Sequence, residues 1–207
     1  MTLHSDVAEL LAGAGILDVD VDDAVADEHV RSSAYRDVVS ATASSRSRDR
    51  DRAIVATILR DPNEMASKTA VVALVDTIAM KATGREEFRQ WSAELLPEID
   101  QLKTEGFRAF IRRRVHDWLF YLSVEDGHAP TPAELAEVTD WMQRLLAGVS
   151  TSPAVLALLA ESGNRKKTRN IAKNRAGRPR AENEMSPTMA TPSARTDTTG
   201  VGSSIPQ

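Results

Sequence analysis

An all-α fold, a helical bundle of six to seven helices followed by a basic arm and a disordered C-terminal tail, is predicted from three observations. Apolar residues recur at three- and four-residue intervals from Val7 to about Leu159, the period of helices that bury one face. Cap, proline and glutamate signatures stand ahead of apolar runs at Asp61-Pro62-Asn63-Glu64 and at Thr131-Pro132-Ala133-Glu134. Beyond Leu159 apolar residues nearly vanish and the charge changes sign. The expected organisation is a helical domain over 1–163, a basic arm over 164–180 and a disordered tail over 181–207, the tail being too poor in apolar groups to offset its ordering entropy.

In chain order, Ser5 is expected to cap a first helix bearing Val7, Leu10 and Leu11, closed by Gly13 and Gly15. Ile16 to Val21 alternates apolar and acidic residues, as a short extended piece or loop does. A helix is expected over 22–39. Ser40 to Arg52 lacks apolar periodicity and reads as a solvated linker or an exposed helical turn, before a helix that runs to Leu59. Asp61 then caps a helix with Pro62 at its first position, carrying Met65, Thr69, Val72, Ala73, Ala79 and Met80 as its apolar stripe and ending at Gly84. Thr83 and Glu86 offer a second capping box. Phe88, Trp91, Leu95, Ile99 and Leu102 share one face of the next helix, which Pro97 is expected to kink or restart. Phe107, Phe110, Ile111, Val115, Trp118, Leu119 and Leu122 mark the most amphipathic helix. After a loop over 124–130, Thr131 starts a helix through Leu146 that Gly148 stops, and Ser152-Pro153 opens a last short one closed near Gly163. The three tryptophans, Trp91, Trp118 and Trp141, are expected as core or interface anchors.

Charge is distributed unevenly. Residues 1–160 hold 17 Lys or Arg against 26 Asp or Glu, a net of −9, whereas residues 161–207 hold 9 against 4, a net of +5. The stretch from Arg165 to Arg180 contains eight Lys or Arg and no acid. Such asymmetry points to a polyanion or an acidic protein as partner. Cysteine is absent, which removes disulfides and thiolate chemistry and fits a reducing cytoplasm. No apolar run approaches the roughly 20 residues that span a bilayer, so no membrane partner is expected.

Within the arm, Arg175-Ala176-Gly177-Arg178-Pro179-Arg180 resembles the AT-hook, a short DNA-binding element with a Gly-Arg-Pro centre flanked by basic residues. Ala176 stands where that element commonly has an Arg. The resemblance implies that Gly177 and Pro179 let the backbone lie extended in a narrow minor groove, that Arg178 reaches its floor, and that Arg175 and Arg180 meet phosphates. Arg165, Lys166, Lys167, Arg169 and Lys173 would add phosphate contacts, on DNA or equally on RNA. The bland alternative is a solubilising tail. Arg108, Arg112 and Arg113, with Arg114 beside them, form a second candidate ridge, for which a solvated face paired with Glu105 and Asp117 is the plainer account.

Nothing demands catalysis. His4, His29, His116 and His128 lack zinc-site spacing, and adjacent residues such as His116 and Asp117 diverge by about 100° on a helix. Asp18, Asp20, Asp22 and Asp23 lack the glycine and glutamate of a calcium loop. No cofactor or metal is expected. The sequence therefore leads to a cytoplasmic, non-enzymatic, nucleic-acid-associated protein, regulatory or accessory, whose body recognises a partner or dimerises. The alternative is an assembly or adaptor protein, of phage or mobile-element type, that oligomerises and captures an acidic protein through its tail.

Overall fold

The computed structural model describes residues 2–177, which are all-helical and carry eleven helices rather than six or seven. The larger count arises because the helices expected over 22–39 and from Thr131 to Leu146 are each divided in two and because part of the expected arm is helical. α1 (Leu3–Ala14) is capped by Thr2, whose hydroxyl accepts from the Ser5 amide at 3.2 Å, so Ser5 supplies the N–H and not the cap. It closes at Gly15, in the left-handed region at φ 70°, where a side chain would be strained. Ile16 to Asp20 form a loop, one of the two forms expected there, and Asp20 ends it by capping α2 (Val21–Ala26), accepting from Asp22 and Asp23 at 2.8 and 3.1 Å. Asp27 then ends α2 and caps α3 (Glu28–Ser44), splitting the helix expected over 22–39.

The segment read as a solvated linker is ordered. α3 continues to Ser44 because Thr42 and Ala43 are buried, and α4 (Asp51–Ile58) begins at a buried carboxylate. Asp51 accepts from the Trp91 indole at 2.9 Å and from Arg48 at 3.1 Å, joining this loop to the next layer. α5 (Glu64–Lys81) is capped by Asn63, not Asp61, through bonds of 3.1 Å from the Met65 and Ala66 amides. Its buried face is Ser67, Ala70, Val71, Leu74, Val75, Ile78 and Ala79; of the expected stripe Ala79 is buried, while Met65 and Met80 are exposed.

α6 (Arg85–Ile99) passes through Pro97 without ending there, since only its final turn lies beyond the proline. Phe88, Trp91, Leu95, Ile99 and, just after it, Leu102 are all buried, as their spacing predicts. The box before it closes with Glu87: this carboxylate accepts from both the amide and hydroxyl of Thr83, at 2.7 and 2.6 Å. α7 (Glu105–Glu125) buries Ile111, Val115, Trp118 and Leu122. Thr131 and Glu134 form the predicted reciprocal cap, but on the short α8 (Pro132–Glu137). Thr139 then caps α9 (Asp140–Val149), and Ser152 caps α10 (Pro153–Ser162).

α5 lies between α3 and α7, with α6 against α4 and α7, and α1 and α2 against α3. α9 packs on α7, and α10 and α11 (Lys166–Ala176) pack on each other and on α9. One continuous apolar cluster runs from Val7 to Ala172. Each fully buried Leu, Ile, Val or Phe contributes about 1.5–3 kcal/mol, so this cluster is the main stabilising feature. No helix among the described residues is long and apolar enough to cross a membrane.

Candidate nucleic-acid interface

The first part of the expected basic arm is folded. Thr168, Ile171, Ala172 and Arg175 fall on one side of α11, and Thr168 and Ala172 are buried against α9 and α10. Its entry is fixed by a side chain that sequence reasoning passed over. Gln143 is fully buried; its amide nitrogen donates to Leu135 O at 2.8 Å and its oxygen accepts from the Asn164 N–H at 2.8 Å. Gly163 permits the tight turn before it, since a Cβ there would lie 2.6 Å from Leu159 O. The domain boundary expected at 163 therefore falls inside a packed unit.

The six basic residues of the stretch that lie among the described residues divide by environment. Arg165 is paired with Asp140, and that carboxyl is held below its ordinary range by Arg165 and by Asn164. Arg169 donates to Gly163 O at 2.6 Å and Asn164 O at 3.3 Å, and Arg175 to Ala147 O at 3.0 Å. Arg175, half-buried, thus rests against α9. Lys166, Lys167 and Lys173 remain exposed. Lys166 and Lys173, with Asn170 between them, follow an i, i+4, i+7 row on the outward face, and Lys167 lies at its flank. Gly177 caps the helix at φ −83°, an ordinary conformation. Arg178, Pro179 and Arg180, like the tail over 181–207, lie outside the described residues, so the AT-hook-like segment begins as the end of α11.

The second predicted ridge is largely committed to its own fold. Arg108 pairs with Glu105 and also donates to Leu102 O, Arg112 pairs with Asp100, and Arg113 donates to Glu137 O at 3.0 Å. Asp117 takes no part. It is buried and accepts from the Thr139 amide at 3.0 Å and from the Thr139 hydroxyl, which anchors the start of α9. His116 is exposed on the other side, so the two adjacent residues form no dyad.

Beside α11 lies a cleft of about 520 Å³ lined by Asp140, Trp141, Arg144, Arg165, Lys166, Lys167 and Thr168. It gathers three of the predicted basic residues with two that were not, Trp141 and Arg144. Their i, i+3 spacing on α9 is the only sequence signal that could have joined them. The indole is braced by Arg114, whose guanidinium carbon lies 3.7 Å from the ring centroid, and by Trp118 in a T-shaped pair with ring centroids 5.8 Å apart. Asp76 holds this brace: it accepts from the Trp118 indole at 2.6 Å and pairs with Arg114 at 3.7 Å. Burial raises the Asp76 carboxyl above its usual value, opposed by the Trp118 hydrogen bond and the Arg114 charge.

Two of the other cavities hold several charged or titratable groups. One of about 930 Å³ is lined by Asp6, Arg60, Asp61, Glu64, Lys103 and neighbours, but Arg60 forks onto Asp6 at 2.7–3.3 Å and Glu64 accepts from the Lys103 and Thr104 amides. The other, of about 310 Å³, includes Arg85, His116, His128 and Glu134, where His128 bonds Glu134 at 3.0 Å. Among the described residues no group of three or more His, Asp or Glu is arranged to hold a metal ion. Comparison with protein-family models, with curated proteins and with solved structures gives no match to this chain.

Proposed function

We propose that this protein is a non-enzymatic, nucleic-acid-associated protein, regulatory or accessory in role, that meets phosphates through the outward face of α11. The observation that carries the reading is the exposed set Lys166, Lys167 and Lys173, edged by Arg144 and Arg165, on a chain whose net charge is −4. A rigid helix presents these cations at fixed spacing, and Arg178 and Arg180 follow directly in sequence. Phosphate neutralisation by such residues releases counterions and is sequence-independent.

The test is duplex and single-strand binding by the full chain across a salt series. Contact with five to eight phosphates predicts a log–log slope of about −4 to −7. Replacing Lys166, Lys167 and Lys173 by Gln leaves the packed face of α11 intact and should flatten that slope by about 3. A chain ending at Gly177 separates the contribution of residues 178–207. A salt-independent response, or no effect of the triple replacement, would end the proposal. The adaptor reading draws on a different observation, the exposure of Leu17, Met65 and Met80 at 92, 53 and 66 %. A stable oligomer in light scattering without nucleic-acid affinity would favour it.

A further inference from the structure

Trp141 is 38 % exposed, whereas Trp91 and Trp118 are buried. Arg114 covers one face of its ring and Trp118 packs against it in a T-shaped pair, while the exposed part of the indole lines the cleft beside α11. The ring is held from behind, and a flat ligand ring that covers it pays little to order it. Around it stand Arg144, Lys166 and Lys167, all exposed, and Arg165, which neutralises the one carboxylate of the cleft, Asp140. A flat apolar face ringed by cations matches a ligand that joins a planar ring to phosphate. The cleft volume, about 520 Å³, falls within the range of small-ligand sites. In a duplex both faces of each base are covered by neighbouring bases, so an indole can stack only on an unpaired one.

We infer that the Trp141 cleft is a stacking site for an unpaired nucleobase, with Arg144, Lys166 and Lys167 on the flanking phosphates, which makes single-stranded nucleic acid the ligand of this surface. The inference rests on the nucleic-acid reading above and narrows it. Lys173 lies further along α11 and extends the phosphate track beyond the cleft.

The experiment is a fluorescence titration of the full chain with an oligothymidylate of about twelve residues, inside the site sizes of single-strand binders, and with a duplex of equal length. Binding should quench tryptophan emission, because the exposed indole is the one covered, and the single strand should outcompete the duplex. Trp141→Ala should weaken single-strand binding roughly ten- to hundredfold with the salt slope unchanged. Lys166→Gln with Lys167→Gln should instead lower the slope by about 2. Trp141→Phe keeps a ring against Arg114 and Trp118 and should retain part of the affinity, which guards against a misfolded alanine variant. Binding without quenching, full affinity in Trp141→Ala, or equal competition by duplex would overturn the stacking site while leaving the basic surface in place. No binding of either nucleic acid by the unaltered chain would remove both.

Discussion

Asp61 was expected to cap a helix and instead organises a buried junction. Its carboxylate accepts from Arg31 Nε at 2.7 Å, from the Tyr35 hydroxyl at 2.8 Å and from the Asn63 amide at 2.7 Å. Arg31 also donates to Ala24 O and Val25 O at 3.0 and 3.2 Å, satisfying carbonyls at the end of α2. Burial and the bond to Asp61 push the Tyr35 hydroxyl well above the usual phenol range, so it stays protonated and donates. A buried ion pair of this kind has a small net effect on stability when intact but a large one when one member is removed. Asp61→Ala should therefore cost about 3–5 kcal/mol, since it strands the Arg31 charge, whereas Tyr35→Phe removes one bond to a charged group and should cost about 1.5–3 kcal/mol. Urea unfolding of the two variants checks this order; an Asp61→Ala loss no greater than that of Tyr35→Phe would mean that water reaches Arg31.

At the scale of elements, Gln143 governs α11. No charge links Gln143 to a distant partner, yet its two amide atoms tie Leu135 at α8 to Asn164 at the start of α11. Gln143→Met keeps the volume and leaves the Asn164 N–H without its acceptor, while Leu135 O keeps the Val138 N–H at 3.4 Å, at a cost of about 1–3 kcal/mol. The loss should be local. Hydrogen exchange should quicken across 166–176 while 71–78 in α5 keep their protection. Unchanged protection in α11 would show that Thr168 and Ala172 suffice to dock it.

The same elements show what was legible beforehand. Phe88, Trp91, Leu95, Ile99 and Leu102 stand in an otherwise polar sequence, so their period has one interpretation. α5 does not offer that contrast: it is sandwiched by α3 and α7 and is apolar on several sides, and the stripe read from Met65 and Met80 is rotated from the buried one. The docking surface of α11 consists of a threonine, an isoleucine, an alanine and the stem of an arginine, a weak signal in a stretch that holds eight cations between Arg165 and Arg180, so the sequence there reads as a basic arm. The cationic half of the candidate site was visible for the same reason that its packing was not. Trp141 and Arg144 were not linked to it because they lie more than twenty residues earlier, and only the α9–α11 contact brings them together.

Across the whole molecule, charge is sorted by position. Residues 1–30 hold eight acids and no Lys or Arg, and the helices they form pack on α3 and α4, whereas α11 packs on α9 and α10. Net charge describes how the chain behaves toward a distant surface, but in physiological salt fields fade over about 8 Å, so a polyanion in contact senses the local patch. An acidic protein with a pI near 5.6 should then be retained at pH 7 both by an anion exchanger, through its N-terminal carboxylates, and by heparin, through α11. The two retentions should separate on mutation. Replacing Lys166, Lys167 and Lys173 by Gln should abolish or sharply weaken heparin binding while strengthening retention on the anion exchanger, because the same change lowers net charge from −4 to −7. If heparin retention instead survives the triple replacement, the polyanion contact lies with residues beyond Gly177, and the outward lysine row of α11 is a solvated face.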